Sequence, residues 1–308
     1  MSSVVCTLFE GHYDKGVAAL ANSLYRHGFR GALWIGHRGP LPSWAQPLQE
    51  RDGSQFFEPA SGLRLHFQKV ETKRHLTNYK PDFIAGLRRL HFPEADQIYY
   101  FDPDIVVKTG WEFFEKWTAA GVALCEDVNS PMHSTHPIRT MWHRFFEPQG
   151  FAIARELDVY VNAGFVGVSR ENWDFIELWQ RLLSLMESET NGLSELGVKD
   201  RAYPFHKPDQ DALNAAAMYA ARAVSIAGKD AMDFIHGGFL MSHALGNPKP
   251  WRKAFIRETL RGYPPAQADH NFWQHTEQPI NIFTEGERRR KKLELAIASG
   301  LGRFYARN

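Results

Sequence analysis

Short apolar runs, each followed by a stretch with helical spacing, recur through the first half of the chain and constrain its fold more than any other feature. Residues 4–9 are a β-branched run that stops at the turn Glu10-Gly11-His12-Tyr13, after which Val17, Leu20, Ala21 and Leu24 share one helical face. Residues 32–35 predict a second buried strand, closed by Gly- and Pro-rich punctuation, and residues 63–70 a third. Helical spacing returns over 80–90 and 111–117, and apolar strands over 98–101, 105–107 and 122–125. Buried strands alternating with helices predict an α/β fold: a mixed, mostly parallel sheet flanked by helices, with its ligand at the carboxyl ends of the strands.

The second half is less regular. Residues 126–158 are rich in His, Pro and Arg and predict a loop with one helical piece over 139–146. A strand over 160–168, an amphipathic helix over 173–186 and an alanine-rich helix over 209–221 follow. No repeat or low-complexity linker divides the chain, which predicts one domain over residues 1–260 and a C-terminal helical extension over 261–308. Apolar residues at 44% and charged residues at 23% are ordinary for a globular protein, and a formal charge of +1 gives no reason to expect a nucleic-acid partner. Cys6 and Cys125 lie far apart without metal-site spacing, so two buried thiols in a reduced compartment are expected. With no apolar run suited to a signal or a membrane span, the expected location is the cytoplasm.

No HExxH pair, GxSxG elbow, Walker loop or GxGxxG fingerprint occurs, which turns attention to carboxylates, histidine and glycine. In Tyr99-Tyr100-Phe101-Asp102-Pro103-Asp104-Ile105-Val106-Val107 an apolar strand is interrupted by two carboxylates one residue apart. Residues i and i+2 of an extended chain point the same way, so both can reach one cation, and a cation relieves their mutual repulsion. Pro103 removes a ladder donor, so strand pairing ends or bulges there. Asp-Pro-Asp is also a common turn tripeptide, but the apolar residues on both sides argue against a surface turn. The second constellation is His243-Ala244-Leu245-Gly246-Asn247-Pro248-Lys249-Pro250-Trp251. It offers an imidazole ligand, a glycine that lets backbone approach a ligand, and a lysine suited to a pyrophosphate. Two carboxylates and one imidazole leave room for phosphate oxygens in an octahedral sphere, which suits Mn²⁺ better than Zn²⁺.

These segments resemble landmarks of glycosyltransferase family 8, the glycogenin-like and bacterial lipopolysaccharide galactosyltransferase-like retaining enzymes of GT-A fold. The run from Tyr100 to Val107 is similar to that family's YLDADIVV strand, Tyr160-Val161-Asn162-Ala163-Gly164 to its Y-x-N-[AS]-G segment, Asp209-Gln210-Asp211-Ala212-Leu213-Asn214 to its DQDxLN helix start, and His243 to Trp251 to HxxGxxKPW. The resemblance spans roughly residues 3–255. It implies an Mn²⁺-dependent hexosyltransferase (Mg²⁺ being the alternative ion) that uses a UDP-sugar donor and a glycan, lipid-linked or protein acceptor. By the same resemblance Asp102, Asp104 and His243 hold the metal; Gly246 and Lys249 contact the diphosphate; Tyr13 stacks on the base. Asn162, Asp209 and Gln210 line the sugar pocket, with Gln210 near the anomeric carbon. Asp209 also suits a helix N-cap.

This chain departs from the family in two places. The turn Phe9-Glu10-Gly11-His12 stands where acidic residues usually follow the first strand, and Lys80, Arg88 or Arg89 stands in for an arginine that touches the donor sugar, with Lys80 the choice here. Glu126 and Asp127 suit either sugar hydroxyls or solvated loop charges. The tail over 287–305, with Arg288, Arg289, Arg290, Lys291 and Lys292 before an apolar pattern ending at Phe304 and Tyr305, suits either a docked terminal helix or peripheral contact with an anionic membrane. Three rival functions are a nucleotide-sugar-binding protein without turnover, an inverting GT-A transferase and a sugar-nucleotide synthesising enzyme. The last generally needs a Gly- and Arg-rich loop after the first strand, which residues 10–13 do not supply.

Overall fold

The computed structural model describes residues 2–51 and 54–305. Its elements run β1 (Ser3–Glu10), α1 (Asp14–Arg26), β2 (Gly31–Arg38), β3 (Gln49–Arg51), β4 (Ser54–Ala60), β5 (Leu63–Lys69), α2 (Lys80–Leu90), β6 (Gln97–Phe101), β7 (Ile105–Val107), α3 (Trp111–Ala119) and β8 (Val122–Glu126). They continue with α4 (Pro137–Phe146), β9 (Val161–Ser169), α5 (Asp174–Leu185), α6 (Pro208–Tyr219), β10 (Val224–Ala227), β11 (Met241–His243), α7 (Phe255–Leu260), α8 (Gln267–Gln274) and α9 (Glu285–Tyr305). Among the described residues, nine strands form one sheet in the order β10-β8-β9-β6-β1-β2-β5-β4-β3, and β7 pairs with β11 in a separate ribbon. The neighbours β6, β1, β2 and β5 are parallel, whereas β9 runs antiparallel to both β6 and β8. This is the expected mixed α/β sheet flanked by helices, parallel at its centre, with a C-terminal helix.

The period-two pattern of β1 explains why both faces of the sheet are covered. Val4, Cys6 and Leu8 join a core with Phe83, Ile84, Trp179 and Leu213 from α2, α5 and α6. Val5 and Phe9 point the other way, into a core with Val17, Leu20 and Leu24 of α1 and Phe114 and Trp117 of α3. Cys6 and Cys125 are both free and buried, and burial pushes their thiols up out of the reactive range.

A third cluster joins Trp251 and Phe255 to Phe272, Trp273, Leu295 and Ala298, so the C-terminal helices share a core with the segment that follows the site. The basic start of α9 folds back on acidic partners. Arg288 and Lys292 both pair with Glu277, Lys291 with Glu294, and Arg289 with Glu285, while Leu293, Ile297 and Phe304 are exposed. The side chain of Tyr305 lies outside the described residues. No described helix is long and apolar enough to cross a membrane. The hairpin β3–β4, the short strands β10 and β11, and helix α7 are elements the sequence reading did not anticipate.

Candidate active site

The site forms where the chain leaves one sheet for another. β6 ends at Phe101, and Asp102 makes the last contact with β9 by donating its N–H to Gly164 O at 2.7 Å. Pro103 has no N–H to offer, so pairing stops there as expected. The Asp104 carbonyl then accepts from Ala244 N at 3.0 Å, and Ile105 stands opposite His243 in the β7–β11 ribbon. Asp102 is thereby held by the large sheet, and Asp104 and His243 by the ribbon.

These three side chains converge. Each offers a ligand atom, and the atoms all lie within 4.8 Å of one another. His243 Nε2 is 3.2 Å from Asp104 Oδ1 and 4.0 Å from Asp102 Oδ2. The donor set of two carboxylates and one imidazole, packed closely enough to share an ion, fits a divalent cation. Gly164 makes room for the imidazole: a Cβ there would lie 2.6 Å from His243 Cε1 and 2.7 Å from Asn162 Oδ1. Burial alone would raise the Asp104 carboxyl, but His243 and Lys249 outweigh it and hold Asp104 well below the usual carboxylate range. Lys249 Nζ donates to Asp104 Oδ2 at 2.6 Å and to Ala244 O at 2.7 Å.

Lys80 lies deeper, its side chain 2% exposed. Its ammonium reaches Asp102 Oδ1 at 3.0 Å, Asp209 Oδ2 at 3.2 Å and Ala163 O at 3.0 Å. Burial disfavours the charge, yet Asp102 and Asp209 more than offset that and raise the lysine's pKa. Burial, with Asp102 adding to it and Lys80 opposing, pushes the Asp209 carboxyl up. An N-cap role for Asp209 is not realised: α6 begins at Pro208 after Lys207, and Asp209 turns its side chain to Lys80 instead.

All twelve residues of α6 are buried, including Asp209, Gln210, Asp211 and Asn214, and the backbone of β9 explains these polar choices. β9 extends past the end of β6, which leaves the backbone groups of Val161 and Ala163 on that edge, away from β8, without a strand partner. Side chains replace that strand. Asn214 accepts from Val161 N at 2.8 Å and donates to Val161 O at 2.9 Å; Gln210 Oε1 accepts from Ala163 N at 3.2 Å; Lys80 takes Ala163 O. Asp211 accepts from Tyr160 OH and from Lys207 N, both at 2.7 Å. Gln210 Nε2 has no hydrogen-bond partner among the described residues, and Gln210 lines the cleft. Asn162 donates to Asp127 Oδ2 at 2.6 Å and accepts from Gly164 N at 2.8 Å. Asp127 is itself buried, which rules out a solvated loop charge.

The predicted site residues line one cleft of about 440 Å³: Tyr13, Lys80, Asp102, Asp104, Asn162, Asp209, Gln210, His243, Gly246 and Lys249 all border it. Tyr13 is half-buried, stacked on His12 at 4.9 Å and edge-on to Trp251 at 5.6 Å, with Lys249 Nζ 5.7 Å from its ring centre. Gly246 has φ of +73° with open space where a Cβ would lie, so it is backbone conformation that calls for glycine. His75, Thr77, Leu196 and Leu245 also line the cleft and were not anticipated. His75 carried a local signal in its place before a helical stretch, where its Nδ1 accepts from Thr77 N at 3.2 Å. Arg88, by contrast, lies over Trp173, and neither Arg88 nor Arg89 borders the cleft. A wider depression of about 1060 Å³ beside Arg26, Gln274 and Lys292 contains none of the predicted site residues.

The mixed α/β sheet, with Asp102 at the carboxyl end of β6 and Asp104 and His243 on the adjoining ribbon, has the architecture of a GT-A-like glycosyltransferase fold. Among solved structures the chain is similar to the apo form of WbbM, a bifunctional glycosyltransferase, with a TM-score of 0.51 at 14% identity over 96% of this chain and 52% of that one. The chain thus spans about half the length of that protein. No family model and no curated protein matches the sequence.

Proposed function

We propose that this chain is a divalent-metal-dependent retaining glycosyltransferase that moves a hexose-type sugar from a UDP-sugar to a glycan, lipid-linked or protein acceptor. The observation that carries this reading is the convergence of Asp102, Asp104 and His243 beside Lys249 in one cleft of a glycosyltransferase fold. The four motif resemblances to family 8 add the UDP donor and the stereochemistry. Asp102, Asp104 and His243 would hold the ion, Mn²⁺ or Mg²⁺, whose chemistry when bound is to neutralise the diphosphate and stabilise it as a leaving group.

The remaining roles belong to the chain. Tyr13 receives the base on its ring, and Lys249 and the Gly246 turn bind the diphosphate. Asp209, Asn162 and Gln210 shape the sugar pocket, and the unpartnered amide of Gln210 faces the reacting end of the donor. An amide is a poor nucleophile, so no covalent enzyme intermediate is invoked. The bond from the anomeric carbon to the phosphate oxygen breaks as the acceptor oxygen bonds that carbon from the same face. The acceptor's proton passes to the departing phosphate oxygen.

Two rivals remain distinct in outcome, a nucleotide-sugar-binding protein without turnover and an inverting transferase. The test is nucleotide release from a panel of UDP- and GDP-sugars with Mn²⁺ or EDTA. The expected result is Mn²⁺-dependent UDP release from one sugar, lost in Asp104→Ala and His243→Ala, with retained configuration in the product. Calorimetry that finds no UDP binding with Mn²⁺ present overturns the proposal, and binding without turnover on any acceptor favours the first rival.

A further inference from the structure

The ammonium of Lys249 occupies the carboxylate that an ion would need. Both side chains are 7% exposed, and Nζ lies 2.6 Å from Asp104 Oδ2. The other oxygen of Asp104 faces His243 Nε2 at 3.2 Å. Beside them Lys80 pairs with Asp102 and Asp209 at once, offsetting one of their two charges. Within these linked ion pairs, Asp102, Asp104 and Asp209 against Lys80 and Lys249 sum to a formal charge of −1 with imidazole neutral. A divalent ion alone converts this to +1, and a nucleoside diphosphate-sugar alone, with two phosphate charges, to −3. The two together restore −1. In a poorly solvated cleft each imbalance is costly, so each ligand favours the other.

Building on the metal and diphosphate roles proposed above, we propose that Lys249 is a resident cation that holds Asp104 until ion and diphosphate arrive together, and then transfers its ammonium from the carboxylate to the diphosphate. Lysine suits the task, being a point charge on a flexible stem rather than a fixed planar fork. Nζ already stands on the Tyr13 side of the cleft, 5.7 Å from the centre of that ring. Ion and nucleotide therefore bind as a coupled pair, and the coupling runs through this residue.

The test measures Mn²⁺ binding by electron paramagnetic resonance of the free ion, with and without UDP, corrected for Mn²⁺–UDP complex in solution. In the wild type, saturating UDP should tighten Mn²⁺ binding by about 10-fold or more, and Mn²⁺ should tighten UDP by the same factor. Lys249→Gln should bind Mn²⁺ alone at least about 3-fold more tightly than the wild type, while its coupling falls below about 3-fold. Lys249→Met, which keeps the buried stem, serves if the glutamine variant does not fold, and the wild-type coupling requires no variant at all. Mn²⁺ and UDP that both bind the wild type independently overturn this proposal and leave the transferase reading standing. A variant that binds Mn²⁺ alone no more tightly than the wild type also overturns it. No Mn²⁺ binding in either condition overturns both.

Discussion

Replacing Lys80 by methionine keeps the buried stem and removes only the ammonium that Asp102, Asp209 and Ala163 O share. Two carboxylates then face each other without a cation, and a buried carbonyl loses its donor. Removing one partner of a buried ion pair costs about 3–5 kcal/mol, chiefly through the charge left behind. For 308 residues, at about 2.1 cal/mol/K each, the unfolding entropy is about 0.65 kcal/mol/K, so Tm should fall by about 5–8 °C. Differential scanning fluorimetry with EDTA measures this directly. Mn²⁺ should restore more stability to the variant than it adds to the wild type, because it supplies charge beside Asp102. The double variant Lys80→Met with Asp209→Asn should recover part of the loss, since it removes the stranded carboxylate as well. A Lys80→Met protein that melts within about 1 °C of the wild type, or a double variant that loses the sum of the two single losses, would refute the shared-cation reasoning.

Gly164→Ala places a methyl 2.6 Å from His243 Cε1. The imidazole must move, and Mn²⁺ affinity in the presence of UDP should drop by about 10–100-fold, read by calorimetry. Unchanged affinity would show that the ring position is not critical. Burial pushes the Asp211 carboxyl up to about 7. In the folded state it keeps a proton that the unfolded chain releases near its ordinary pKa, so its contribution is complete below that value and lost as pH rises toward 7. His66 and His275, both held down to about 4 by burial, act in the opposite sense, losing their contribution as pH falls from 6.5 toward 4. The observable is therefore the difference between wild type and Asp211→Asn: urea midpoints should favour the variant increasingly from pH 5 to 7.5, and a constant difference would exclude the raised carboxyl.

Much of this was legible in the sequence because it rests on local pattern. α2 was readable from helical spacing alone, and the motifs brought Asp102, Asp104, His243 and Lys249 to one place. β4 was hidden because it is a hairpin strand that carries Pro59, and β10 because it is four residues long and only half-buried. β11, Met-Ser-His, is a strand only because β7 lies beside it. In the site, sequence could nominate Lys80 but could not reveal that its ammonium serves three internal acceptors. Likewise Asn214 and Gln210 gave no sign that they stand in for a missing strand along β9. That role depends on where β6 stops, which is a property of the sheet and not of α6.

Behind Tyr13, the indole of Trp251 donates to His12 Nδ1 at 2.9 Å across 239 positions of chain. The link from Lys249 to Asp104 spans 145. Contacts of such long range form late, after most loop-closure entropy has been lost. Ligands that engage Tyr13 and Lys249 are therefore expected to act on contacts made after the folding transition state. They should slow unfolding while leaving the refolding rate almost unchanged, so that bound nucleotide extends the lifetime of the native protein without hastening its formation.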